Sequence, residues 1–151
     1  MSFTENCVLH SSNPRIWRKL LNLGLHLDSC CRTLTARTKD NRLCTAVRRG
    51  VIFNIKEEEI SENLYDCRDN EDLFFALASM RDDNDLYQWF IYDNRDWNDE
   101  DPQRVWLLCK QNRIEDDLCY DLMYNDCEKA TRKEIIAHFM GLDDDLIVKN
   151  Q

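Results

Sequence analysis

Between Gly50 and Asn94 the sequence GVIFNIKEEEISENLYDCRDNEDLFFALASMRDDNDLYQWFIYDN carries apolar side chains at spacings of three and four. That spacing is the period of a helix with one buried stripe, and no other feature of the chain limits its fold as strongly. Ile60 and Leu64, then Leu73, Phe74, Leu77 and Met80, then Leu86, Trp89 and Phe90 define three such stripes. Asp69 or Asn70 can cap the second helix and Asp82 to Asn84 the third. Glu57, Glu58 and Glu59 fall in the first turn of the helix expected over Lys56 to Asp66, where the dipole prefers acidic groups.

The flanking segments read the same way. Asn13-Pro14 combines a capping side chain with a proline at the first helical position, and Ile16, Trp17, Leu20 and Leu21 follow as an apolar face that Gly24 ends or bends. Leu43, Cys44, Ala46 and Val47 read as a short helix closed by Arg48-Arg49-Gly50, with glycine as a left-handed cap and two arginines at the negative end of the dipole. Val51 to Ile55 is the one β-like run, assigned as an apolar lead into the next helix. Asp101-Pro102 repeats the cap-plus-proline start ahead of Val105, Trp106, Leu108 and Cys109. Further helices are expected over Ile114 to Tyr124 and over Lys129 to Met140, the last trimmed by a capping box at Thr131 and Glu134 and stopped at Gly141.

Three glycines and two prolines among 151 residues are few for a strand-and-turn architecture, so the fold class expected is all-α. Eight cysteines would fit a disulfide scaffold, but no apolar export segment or glycosylation sequon accompanies them, and reduced thiols in a cytoplasmic protein are expected. Cys30-Cys31 beside Arg32 is the best candidate for a reactive thiol, and His26 lies one helical turn before it. No cofactor, catalytic residue or metal ligand is assigned. Phosphate loops and zinc-hydrolase helices are missing, and Asp93, Asp99 and Asp101 lack the glycine and terminal glutamate of a calcium loop. The net charge of −9 is unevenly spread: residues 1–55 hold nine Lys/Arg against three Asp/Glu, and residues 56–151 hold eleven against twenty-six. A basic first half of this kind can track phosphates, but without aromatics for stacking, nucleic acid is an unlikely partner.

The order Gly50-Val51-Ile52, Glu57 to Ile60, Leu73-Phe74 with Leu77, and Leu86-Tyr87 with Phe90 resembles the second half of a caspase-recruitment (CARD) death-fold domain. The resemblance implies a six-helix bundle over residues 13–112, preceded by an N-terminal arm over 1–12. Residues 113–151 follow as accessory C-terminal helices or the start of a second helical domain. It further implies a non-enzymatic adaptor or regulator of apoptosis or innate antiviral signalling that binds itself or the death-fold domain of a caspase, an adaptor or an RNA-sensing helicase. In such contacts a basic patch meets an acidic one. The basic face expected here is Arg15, Arg18, Arg42, Arg48 and Arg49, and the acidic face is Glu57, Glu58, Glu59, Glu62, Asp82 and Asp83. An alternative is a viral host-defence antagonist resembling Bcl-type regulators, because Ile91-Tyr92-Asp93-Asn94-Arg95-Asp96-Trp97 is similar to their second homology motif. Such a protein takes an amphipathic helix in an apolar groove.

Overall fold

The structure, a computed structural model, describes residues 3–10, 13–29, 42–110 and 127–142. The chain divides into two compact units, Met1–Asp83 and Asn84–Gln151. The first contains β1 (Asn6–Leu9), α1 (Pro14–Asn22), β2 (His26–Leu27), β3 (Leu43–Arg48), β4 (Val51–Lys56), a single 3-10 turn (Glu57–Glu59), β5 (Tyr65–Asp66) and α2 (Glu71–Ala78). Its sheet runs in the order β2-β4-β3-β1-β5. The β3–β4 and β1–β3 pairs are antiparallel, while β2 on β4 and β5 on β1 are parallel. The second unit contains β6 (Trp89–Asp93), β7 (Arg104–Leu108), β8 (Cys127–Lys129) and α3 (Arg132–Phe139), with an antiparallel sheet in the order β7-β6-β8.

The architecture is therefore mixed α/β, with eight strands and three α-helices among the described residues, and the all-α expectation is corrected. The CARD-like helical bundle, the death fold and the groove of a helical Bcl-like protein go with it. The helices expected around Cys44, Leu86 and Trp106 are instead strands, or lead into one. The physical reason is burial on both faces. On one face of the first sheet Val8, Cys44, Ala46 and Leu64 form a cluster with Phe53, Ile55 and Ile60 packed against it. On the other face, Thr45 accepts from the Trp17 indole of α1 at 3.4 Å and Cys7 donates weakly to the Phe74 carbonyl of α2 at 3.9 Å. A strand covered on both sides reads as a continuous apolar run, and such a run also matches a helical stripe.

The three helices that do form carry explicit caps. Asn13 accepts from the Arg15 N–H, Asn70 from Leu73, and Thr131 and Glu134 complete the expected capping box at 3.2 and 2.9 Å. Glu57–Glu59 makes only one 3-10 turn before Ile60 returns to extended backbone. Of the side chains read as inward, Leu64, Leu73, Phe74 and Leu77 are buried in the first unit, Phe90 is buried in the second, and Leu21 is 44% exposed. The segment Ile114 to Tyr124 lies outside the described residues, as do Cys30, Cys31 and Arg32.

Arg48-Arg49-Gly50, read as a helix end, is a β-hairpin turn. Arg48 pairs with Val51, and the two residues between them have positive φ, 50° at Arg49 and 83° at Gly50. Two left-handed residues in succession match the right-handed twist of the flanking strands. A Cβ on Gly50 would lie 2.9 Å from Phe3 Cδ2, so both backbone and space call for glycine. Gly141 also has positive φ, 73°, but nothing within 4 Å of its Cβ direction. Gly50→Ala should lower stability by about 1–3 kcal/mol and by more than Gly141→Ala, which carries the backbone cost alone. Urea unfolding of both variants checks this, and an equal or smaller loss at Gly50 would contradict the packing against Phe3.

Candidate functional site

In the second unit, side chains two apart on a strand share a face, and the register sets which of them meet. Trp89, Ile91 and Asp93 on β6 lie opposite Leu108, Trp106 and Arg104 on β7, and Glu128 on β8 lies opposite Ile91. This face is graded. At one end Trp89 meets Phe139 edge to face at 5.6 Å, and Trp106 stacks on His138 at 4.0 Å with the planes 17° apart. At the other end it is ionic, and there a pocket of about 320 Å³ opens, lined by Ile91, Asp93, Asp96, Trp97, Arg104, Glu128 and Glu134.

Asp93 accepts from the Arg95 backbone N–H at 3.1 Å, from Arg95 Nε at 2.9 Å and from Arg95 Nη2 at 2.7 Å. Arg104 is 10% exposed, with Nε 3.6 Å from Asp93 Oδ2 and Nη2 3.7 Å from Glu134 Oε2. Its guanidinium also lies 5.7 Å from the centre of the Trp106 ring. The other carboxylate oxygen of Glu134 accepts from the Thr131 N–H, so one side chain both starts α3 and faces Arg104. Asp96 and Trp97 belong to the β6–β7 connection, and Trp97 is 60% exposed with its ring 6.5 Å from that of Tyr92.

Little of this was visible as a site in the sequence. Asp93, Asp99 and Asp101 read as part of a calcium loop, yet Asp93 is engaged by Arg95, and Asp101 Oδ2 accepts from the Gln103 side chain at 2.9 Å. The described residues contain no group of three or more His, Cys, Asp or Glu that could hold a metal ion. The usable signal was an alternating strand, Trp89-x-Ile91-x-Asp93, whose polar end matches that of Arg104-x-Trp106-x-Leu108 in antiparallel order.

The residues expected to form charged faces are exposed but not gathered as two patches. Arg15 and Arg18 lie on α1, and Arg42 precedes β3. Arg48 is on the opposite side of the sheet from α1, with its guanidinium 5.0 Å from the Phe53 ring centre, and Arg49 occupies the hairpin turn. Glu57, Glu58 and Glu59 stand together at the far end of β4, Glu62 follows in the connection, and Asp82 and Asp83 follow Arg81, which bridges to Phe3 beside Gly50.

A second polar cluster lies in the first unit near Glu57, where His10 is 3.3 Å from Glu57 and 2.7 Å from Asp66. Below it the Cys44 thiol is pushed up to about 11, chiefly by burial, then by the charges of Glu57 and Asp66, with Arg42 opposing. It is protonated and inert at neutral pH.

A scan against protein-family models found no match for this chain, and searches of curated proteins and of solved structures found none either. No helix among the described residues is long and apolar enough to cross a membrane.

The hydrogen bonds from Arg95 hold the Asp93 carboxyl below the usual carboxylate range, against the opposing effect of desolvation, and Arg104 adds to the lowering. A carboxyl lowered on folding contributes stability that is fully present above its unfolded value, about 3.9, and is lost as pH falls through the folded value. The stability difference between the parent protein and its Asp93→Asn variant should therefore be constant near pH 7 and shrink in acid below about pH 4. Urea titrations at stepped pH measure it, and a difference independent of pH would remove Asp93 from the ionic network.

Proposed function

We propose that this protein is a non-enzymatic binding module and that the pocket of the second unit receives a positively charged group, an amine or a guanidinium. The observation that carries the reading is the lining: four carboxylates, Asp93, Asp96, Glu128 and Glu134, against one arginine. Arg104 and Arg95 answer Asp93 and Glu134, and Asp96 and Glu128 are left at the rim as exposed acceptors. The exposed ring of Trp97 adds a face that attracts cations. Binding to such a site is electrostatic and shallow, and it weakens as salt shortens the screening length.

N-acetyl-arginine amide and N-acetyl-lysine amide, titrated into isotope-labelled protein, should produce saturable shifts at Ile91 and Trp97, and N-acetyl-aspartate amide should not. Changing Asp96 to Asn and Glu128 to Gln together should weaken the cationic probes about threefold to tenfold, as expected for two exposed charge pairs. An equal response to the anionic probe, or shifts that avoid the pocket, would overturn the reading.

A separate observation favours a second contact surface, between copies of the chain. Arg48-Arg49 and Glu57–Glu59 sit at opposite ends of β4, whose six residues span about 20 Å, more than twice the screening length of about 8 Å at physiological salt. The two groups are too far apart to neutralise each other within one unit, and each can meet its opposite on a second copy. With the helical architecture corrected, a second copy replaces the death-fold domain as the partner to test. Reversing Arg48 and Arg49 to Glu should shift low-salt sedimentation toward monomer, and adding a copy with Glu57 and Glu58 changed to Lys should restore association. Unchanged sedimentation of the first variant would exclude the contact.

A further inference from the structure

Asp96 and Trp97 of the pocket's rim are carried by the connection between β6 and β7, and one side chain closes that connection at its base. Asn94 is 3% exposed and uses both ends of its amide. Its Oδ1 accepts from the Gln103 N–H at 2.6 Å, and its Nδ2 donates to the Asp101 carbonyl at 3.2 Å and to the Tyr92 hydroxyl oxygen at 3.3 Å. Its backbone N–H donates to the Gln103 carbonyl at 3.0 Å, and its own carbonyl accepts from Trp97 and Asn98 at 3.1 and 2.9 Å. Residue 94 therefore fixes the tight turn that carries Asp96 and Trp97 while clasping the returning strand. No other residue in the connection from Arg95 to Gln103 is buried.

We infer that Asn94 is the positioning residue of the binding pocket, holding Trp97 and Asp96 over it without touching the ligand. This rests on the cation-binding reading for its consequence, but the geometry stands independently. The amide is chemically specific: aspartate would keep the acceptor for Gln103 but lose the donor to the Asp101 carbonyl and set a charge against it. Loss of one clasp leaves the aromatic end of the face, where Trp89, Trp106, His138 and Phe139 pack together, untouched.

The test compares the parent protein with Asn94→Asp and with Tyr92→Phe, which removes only one acceptor. The four indole N–H signals, with Trp97 assigned from Trp97→Phe, report the geometry, and titration with N-acetyl-arginine amide reports the affinity. Asn94→Asp should displace and broaden the Trp97 signal, leave those of Trp89 and Trp106 in place, and weaken the probe about tenfold, or about 1.4 kcal/mol. Tyr92→Phe should move the Trp97 signal in the same direction by less. An unmoved Trp97 signal in both variants overturns the inference. So does movement of Trp89 and Trp106 together with it, or unfolding of Asn94→Asp, since either would make Asn94 a support of the whole unit. If the parent binds no cationic probe, the function proposed for the pocket fails, while the indole signals still decide what Asn94 positions.

Discussion

The first unit depends on a single turn. Arg49 and Gly50, both left-handed, reverse the chain so that β3 and β4 pair in register from Arg48 and Val51 through to Leu43 and Lys56. A slip of one residue would turn Ile52, now fully buried, to the other face and exchange the layers of the core. Every other strand is referenced to this hairpin. β1 lies along β3, and the Asn6 side chain accepts from the Arg49 N–H at 3.1 Å, which ties β1 to the turn itself. β2 lies along β4 beginning at Val51, and β5 attaches outside β1. Phe3 fills the space that the absence of a Cβ on Gly50 leaves open.

How much of this the sequence discloses depends on which interaction decides each element. Helices α2 and α3 were legible because at a helix start a side chain three residues before a backbone N–H satisfies it: Asn70 with Leu73, and Thr131 with Glu134. The same chemistry does not mark a helix by itself: Asn98 accepts from the Asp101 N–H at a spacing of three in a loop, and the spacing of two that starts α1 at Asn13 also occurs in plain turns. Asn84 accepts from the Leu86 N–H, and Asp66 accepts from that of Arg68, in turns that start no helix. Asparagine and aspartate serve both ends, so a cap candidate has force only when a helical segment is already given.

The strands were illegible for a different reason. Ile60 and Leu64 are four apart and both pack on the same cluster, but they reach it from an irregular segment after a single 3-10 turn. Trp89, Phe90, Ile91 and Tyr92 are consecutive, three of them buried and Trp89 half-buried, as a strand covered on both faces allows. Periodicity presumes one wet face. The β-branched and aromatic content of Val51 to Ile55 and Trp89 to Tyr92, together with Arg49-Gly50 between two apolar runs, was the better guide. The candidate site was still harder to see, because Asp93, Arg104, Glu128 and Glu134 come from four elements and meet only through the register.

Why that meeting is ionic follows from Arg104. A guanidinium left 10% exposed is costly without acceptors, and Asp93 and Glu134, 3.6 and 3.7 Å from it, answer that demand of the fold before any ligand is considered. Glu134 is bound further by its place in the capping box, which links the start of α3 to the β7 strand. Neither carboxylate is free to change partners cheaply. The exposed pair Asp96 and Glu128 is under no such demand, and neither is Trp97. The pocket thus separates into a floor whose charges are committed to the fold and a rim whose charges are not. On the proposed reading an incoming cation gains from the rim alone, so binding is weak and salt-sensitive and leaves the sheet unchanged, and the part of the rim that carries Asp96 and Trp97 is clasped at its base by the buried amide of Asn94.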